Sequence, residues 1–158
     1  MKASILLNEI KENISNYDIN ILKESLKKED INPIAKQVST YNLNNYEEII
    51  DKEILDEEDF EISDNMIESM KNEIKLFFEG CSPESEDSFK KFIESICLYL
   101  SLIAKKPLHP VGMDFGENNT VEIIKENGKT VYYCDIKKPL KEKAEEYYTC
   151  KYCICKIR

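Results

Sequence analysis

Residues 82–104, SPESEDSFKKFIESICLYLSLIA, decide the fold. Ser82 is a natural N-cap, Pro83 suits the first helical position, and Glu84, Glu86 and Asp87 favour the positive end of a helix dipole. Phe89, Phe92, Ile93, Ile96, Cys97, Leu100, Ile103 and Ala104 then recur at helical spacing, a stripe wide enough for a central helix. The strongest apolar run, Phe92 to Ala104, spans 13 residues and contains Glu94. A membrane span needs about 20, so this is a core helix. Lys105 and Lys106 suit its C-terminal end before Pro107 stops it.

Toward the N-terminus the same grammar continues. Ile5, Leu6, Ile10 and Ile14 begin an amphipathic run, Ser15 with Asp18 gives a capping-box-like restart, and Ile19, Leu22 and Leu26 follow at helical spacing. Pro33 opens a third helix to about Tyr41. Asn44 with Glu47 opens a fourth through Tyr46, Ile49, Ile50 and Ile54. Ser63 or Asp64 caps a fifth, with Ile67, Met70, Ile74 and Phe77 on one face, which stops at Gly80. The stretch 82–104 is therefore the sixth helix of a body spanning residues 1–106.

Beyond residue 106 the pattern changes. Three of four glycines (Gly112, Gly116, Gly128) and three of five prolines lie there. Thr120–Lys125 and Thr130–Cys134 are β-branched and aromatic and flank Asn127-Gly128, which predicts a hairpin with a type I′ turn. Pro139 opens a short helix to about Tyr147, and TCKYCICKIR closes the chain. With no repeat and no flexible linker, residues 107–158 are expected to pack on the helices as one cooperative unit. The fold class is mainly α (α+β), a multi-helix body with a small C-terminal β-hairpin and a metal-binding knuckle.

The tail carries the chemistry. The single histidine, His109, is followed after 24 residues by Cys134, after 15 more by Cys150, and two residues later by Cys153. A C-x-x-C turn presents two sulfurs to one ion at little entropic cost, and tetrahedral zinc takes four thiolate or imidazole ligands. A segment of ~50 residues rarely buries enough surface to be stable alone. Zinc binding, of order 10–16 kcal/mol in small peptides, or docking on the body would order it. Zinc is the expected cofactor and His109, Cys134, Cys150 and Cys153 the expected ligands. Cys155 is an additional or substitute ligand, and with Cys134, Cys150 and Cys153 it would serve an iron–sulfur cluster, the alternative. A three-ligand metalloenzyme with one open position is a further reading. Cys81 and Cys97 read as ordinary thiols.

Composition narrows the function. Residues 1–104 hold 11 Lys against 23 acidic residues, and residues 105–158 hold 10 Lys and one Arg against 8. Arg158 is the only arginine, so the bidentate fork used for guanine edges and much phosphate recognition is nearly absent. Lys137, Lys138, Lys141, Lys143 and Lys151 would give salt-sensitive contact without sequence reading; weak zinc-ribbon-like nucleic-acid binding through them stands as an alternative function, and nucleic acid is not the expected partner. Tyr132, Tyr133, Tyr147, Tyr148 and Tyr152 serve a small core around the hairpin better than base stacking. The acidic run from Glu47 to Glu61 lacks the glycine and spacing of an EF-hand loop and reads as a solvated face. One histidine rules out HExxH and two-histidine sites, and no G-x-G-x-x-G or G-x-x-x-x-G-K-[ST] occurs. The first residues lack a secretory apolar run, so a cytoplasmic protein is expected, with no membrane span and an unidentified protein partner.

The strings Leu108-His109-Pro110-Val111-Gly112, Tyr132-Tyr133-Cys134 and Cys150-x-x-Cys153 resemble an uncharacterised archaeal family, found largely in methanogens. The resemblance covers about the last 50 residues by motif and the helical body by pattern. It implies an archaeal cytosolic protein with His109, Cys134, Cys150 and Cys153 as shared positions, and no activity. Asp135 stands where the family pattern has proline, and Cys155 is extra.

Overall fold

The computed structural model describes residues 1–116, 120–137 and 149–157. Five helices form the body: α1 (Ala3–Ser15), α2 (Ile19–Leu26), α3 (Pro33–Asp51), α4 (Asp64–Cys81) and α5 (Asp87–Leu98). A π-helical segment, Tyr99–Ala104, continues α5, and two antiparallel strands, β1 (Val121–Glu126) and β2 (Lys129–Cys134), form the hairpin. Short 3-10 turns lie at Asp56–Glu58 and Thr149–Tyr152. No helix among the described residues is long and apolar enough to cross a membrane.

The central helix is where its stripe placed it. Phe92, Ile96, Leu98, Tyr99 and Leu100 are buried against Leu6, Ile10 and Ile14 of α1 and Met70, Ile74 and Phe78 of α4. Tyr17 stacks on Phe92 at 4.5 Å between ring centres. Its start differs from expectation: Ser82–Ser85 form a turn, and the helix begins at Asp87 with Glu86 as N-cap. The preceding helix runs through Gly80 to Cys81, with Ser82 N donating to Phe78 O, so Ser82 ends one helix rather than beginning the next.

A second difference is larger. The two helices expected around residues 33–54 are one, α3. Asn32 caps it by accepting from Ile34 N and Ala35 N, while Asn42 and Asn45 are buried and Asn44 stays inside the helix. Capping potential at Asn44 yields to tertiary packing: the unbroken helix buries Asn42, Asn45 and Ile49 on one side.

Helix α1 shows a cap that no local pattern announces. Lys2, at its N-cap, makes no side-chain capping bond. Asp59 does this from a distant loop, accepting from Ser4 N at 3.0 Å and from Ser4 Oγ at 2.5 Å. Asp59 and Glu48 thus have structural work within the acidic run expected to be a solvated face. Glu48 accepts from Tyr99 OH at 2.8 Å and from Lys106 Nζ at 2.7 Å, gripping both ends of the π-helical segment.

The hairpin forms as expected, with Val121 opposite Cys134 and Glu126 opposite Lys129. Asn127 and Gly128 take φ of 50° and 77°, the left-handed pair a type I′ turn requires. The helix expected from Pro139 to about Tyr147 lies outside the described residues.

Candidate functional site

Residue Lys105, at φ 54°, turns the chain out of the π-helical segment, and Lys106 N donates back to Leu100 O. The next residues are pinned along α3. Tyr41 OH donates to Pro107 O at 2.6 Å, and Gln37 Oε1 accepts from Asp114 N at 3.1 Å. This seats Leu108 against the main core and brings His109 to the junction of α3, α4 and α5. On the far side, Thr149–Tyr152 docks on α4, where Lys151 pairs with Glu73 and the hydroxyls of Tyr152 and Ser69 meet.

Between these anchors the cysteines gather. Cys153 N donates to Cys150 O, closing the C-x-x-C turn. The chain then runs beside β2: Lys156 N donates to Tyr132 O and Cys134 N to Lys156 O, an isolated parallel bridge that sets the tail next to Cys134. Cys134 and Cys155 are buried with Val121 in a second, small core, on which Phe115, Tyr132, Ile136 and Cys153 pack. Cys153 Sγ accepts from Leu108 N at 3.4 Å, which ties the C-x-x-C turn to the residue before His109.

Electrostatics separate the thiols. The Cys155 thiol donates to Cys153; with Leu108 N and the Lys137 ammonium also nearby, the pKa of the Cys153 thiol falls below the ordinary thiol range despite burial. Cys155 moves the opposite way because it is the donor of that pair and is buried. Burial raises Cys150 to about 11, reinforced by the neighbouring Cys153 and Cys134, and burial also raises Cys134. Lys137 Nζ donates to the carbonyls of Cys153 and Cys155 at 2.8 and 2.6 Å, placing a fixed positive charge beside the thiols.

Cys153 and Cys134 lie within electrostatic reach of each other and of both Cys150 and Cys155. His109 stands apart from that set. Its ring packs edge-on to Phe115 at 5.5 Å, and it shares a cavity wall with Cys150. Among the described residues, no three His, Cys, Asp or Glu side chains are arranged to hold a metal ion. Lys137 and Lys151, considered above for nucleic-acid contact, are engaged inside the protein; Lys138, Lys141 and Lys143 lie outside the described residues. Sequence reading missed Tyr41, Glu73 and Lys137 as organisers of the cap, since nothing in their local pattern signals a partner so far along the chain.

A helical body closed by a thiol-rich hairpin cap is thus the architecture. The family described as "Uncharacterized protein conserved in archaea (DUF2115)" matches residues 3–157, and the chain belongs to it. A UPF0305 protein of Methanocaldococcus jannaschii is 31% identical over 166 residues, which cover 99% of this chain and 96% of the relative. A UPF0305 protein of Methanococcus maripaludis strain C5 is 35% identical over 99 residues, covering 63% of this chain and 56% of the relative. No solved structure matches the chain.

Proposed function

We propose that the cap is a structural zinc knuckle whose ligands are Cys134, Cys150, Cys153 and Cys155, and that it serves an accessory, protein-docking role. The observation that carries this reading is that β2, the C-x-x-C turn and the closing segment bring four thiols into one neighbourhood beside the Lys137 ammonium, short of a formed metal site among the described residues. Thiolates are the donors zinc prefers, and Cys153, whose pKa is lowered, is the most readily ionised of them. Loading turns the sulfurs toward a common centre, and the N–H of Leu108 already supports one of them. Four thiolates leave tetrahedral zinc no open position for water, so the role is to hold the tail in shape. Cys155 takes the fourth place because its thiol already contacts Cys153, whereas the ring of His109 faces Phe115 and the cavity.

The test is purification without oxygen followed by metal analysis and a visible spectrum. One zinc per chain in a colourless solution is expected, retained in His109→Phe and lost in Cys155→Ala. Charge-transfer absorption in the visible would replace zinc with an iron–sulfur cluster on the same four thiols. A reduced protein that retains no metal overturns both readings.

A further inference from the structure

A cavity of about 320 Å³ lies where the cap meets the body. Its walls come from α3, α4, α5 and the cap, with Phe78, Ile96 and Leu100 at its buried side and Phe77, 41% exposed, at its mouth. Phe78 meets Phe77 and Phe89 edge-on at 5.7 and 6.3 Å, so three aromatic rings form one wall. None of its described lining residues is Asp, Glu, Lys or Arg, in a chain that is 34% charged. The groove between α4 and α5 contrasts with it, being lined by Lys71, Lys75, Lys90, Lys91, Asp87 and Glu94 among others.

The polar groups of the cavity are few: His109 and Thr149 from the cap side, Asn42 and Ser82 from the body, and the thiols of Cys97 and Cys150. Burial holds the His109 imidazole neutral at ordinary pH. No hydrogen bond among the described residues takes up either of its ring nitrogens. A neutral imidazole with a free nitrogen in the wall of a mainly apolar cavity is an arrangement by which proteins orient a small ligand.

We propose that this cavity binds a small uncharged molecule with an apolar, ring-sized body against the phenylalanines and one hydroxyl or carbonyl hydrogen-bonded to His109. Charged ligands are disfavoured because no lining side chain would compensate their desolvation. Acceptance of a ring follows from the aromatic wall, and selection among rings follows from the single hydrogen bond.

The test uses 4-methylphenol and toluene as probes on the full chain as purified, with metal content measured on the same samples. Saturable NMR shifts are expected at Phe78, Ile93, Ile96 and His109 with 4-methylphenol. Toluene should bind about five- to tenfold more weakly, the value of one buried hydrogen bond. His109→Phe should erase that preference while still binding both probes and keeping its zinc. Cys97→Phe, which places a ring inside the cavity, should abolish binding of both. Should that variant fail to fold, the wild-type and His109→Phe comparison decides alone. Absence of saturable binding, shifts centred elsewhere, or equal affinity for the two probes in the wild type overturns the proposal. Loss of zinc with the probe preference intact instead overturns only the knuckle.

Discussion

Cys155 and His109 sit in different surroundings, one in the small core of the cap and the other at the cavity wall. By spacing, His109 is the natural fourth partner of Cys134, Cys150 and Cys153; in space Cys155, 3% exposed, lies with Cys134 in the small core. His109 has a measurable signature of its own. Burial lowers its pKa from 6.5, so as pH falls through that value the unfolded chain takes a proton before the folded one. Stability present at neutral pH is therefore lost between 6.5 and the lower folded value. The urea midpoint should drop between pH 7 and pH 5.5 in the wild type and stay flatter in His109→Phe. Burial works against the Glu48 charge, but Lys106 and Tyr99 outweigh it and hold the carboxyl low, so its loss comes only at more acidic pH. Removing the Tyr99 hydroxyl leaves Glu48 with Lys106, so Tyr99→Phe should cost about 0.5–1 kcal/mol in urea titration, the low end because the carboxylate is partly solvated.

Secondary-structure elements show where local preference prevails and where it gives way. The hairpin was legible because Asn127-Gly128 is itself the turn, needing φ above zero at both residues and no help from the body. Gly128→Ala should therefore cost about 1 kcal/mol, read as a lower thermal midpoint. Lys105 carries the same left-handed geometry without glycine, at φ 54°. Lys105→Gly should stabilise by about 0.5–1 kcal/mol by the same measurement, because the strain of αL outweighs the added freedom of the unfolded chain. The π-helical segment was not legible. Its residues continue the apolar stripe of α5, and the partner that holds Tyr99 and Lys106 at either side of it, Glu48, comes from a helix some 50 residues earlier. The same kind of distant partner, Asp59, caps α1.

Across the whole molecule, one large core carries the body and a small one carries the cap. Phe92 is fully buried at the meeting of α1, α3 and α5, stacked on Tyr17. Phe92→Ala should cost about 3–5 kcal/mol in denaturant unfolding, since packing around it cannot collapse fully. The small core, by contrast, has Val121, Cys134 and Cys155 as its buried residues. On the zinc reading, a strong chelator should raise hydrogen exchange at residues 130–134 and 149–157 while far-UV helical signal persists. Simultaneous loss of helix would mean that cap and body unfold together.

By itself the sequence determined the helical body, the position of its central helix and the hairpin, because each rests on periodicity or on backbone geometry within a few residues. It also singled out the cysteines, since residue type and spacing suffice for that. Tertiary structure alone decided that α3 is one helix, that Lys137 and Lys151 serve internal contacts, and that His109 turns to an apolar cavity while Cys155 joins the thiols. These outcomes depend on burial and on partners tens of residues away, which no local pattern encodes.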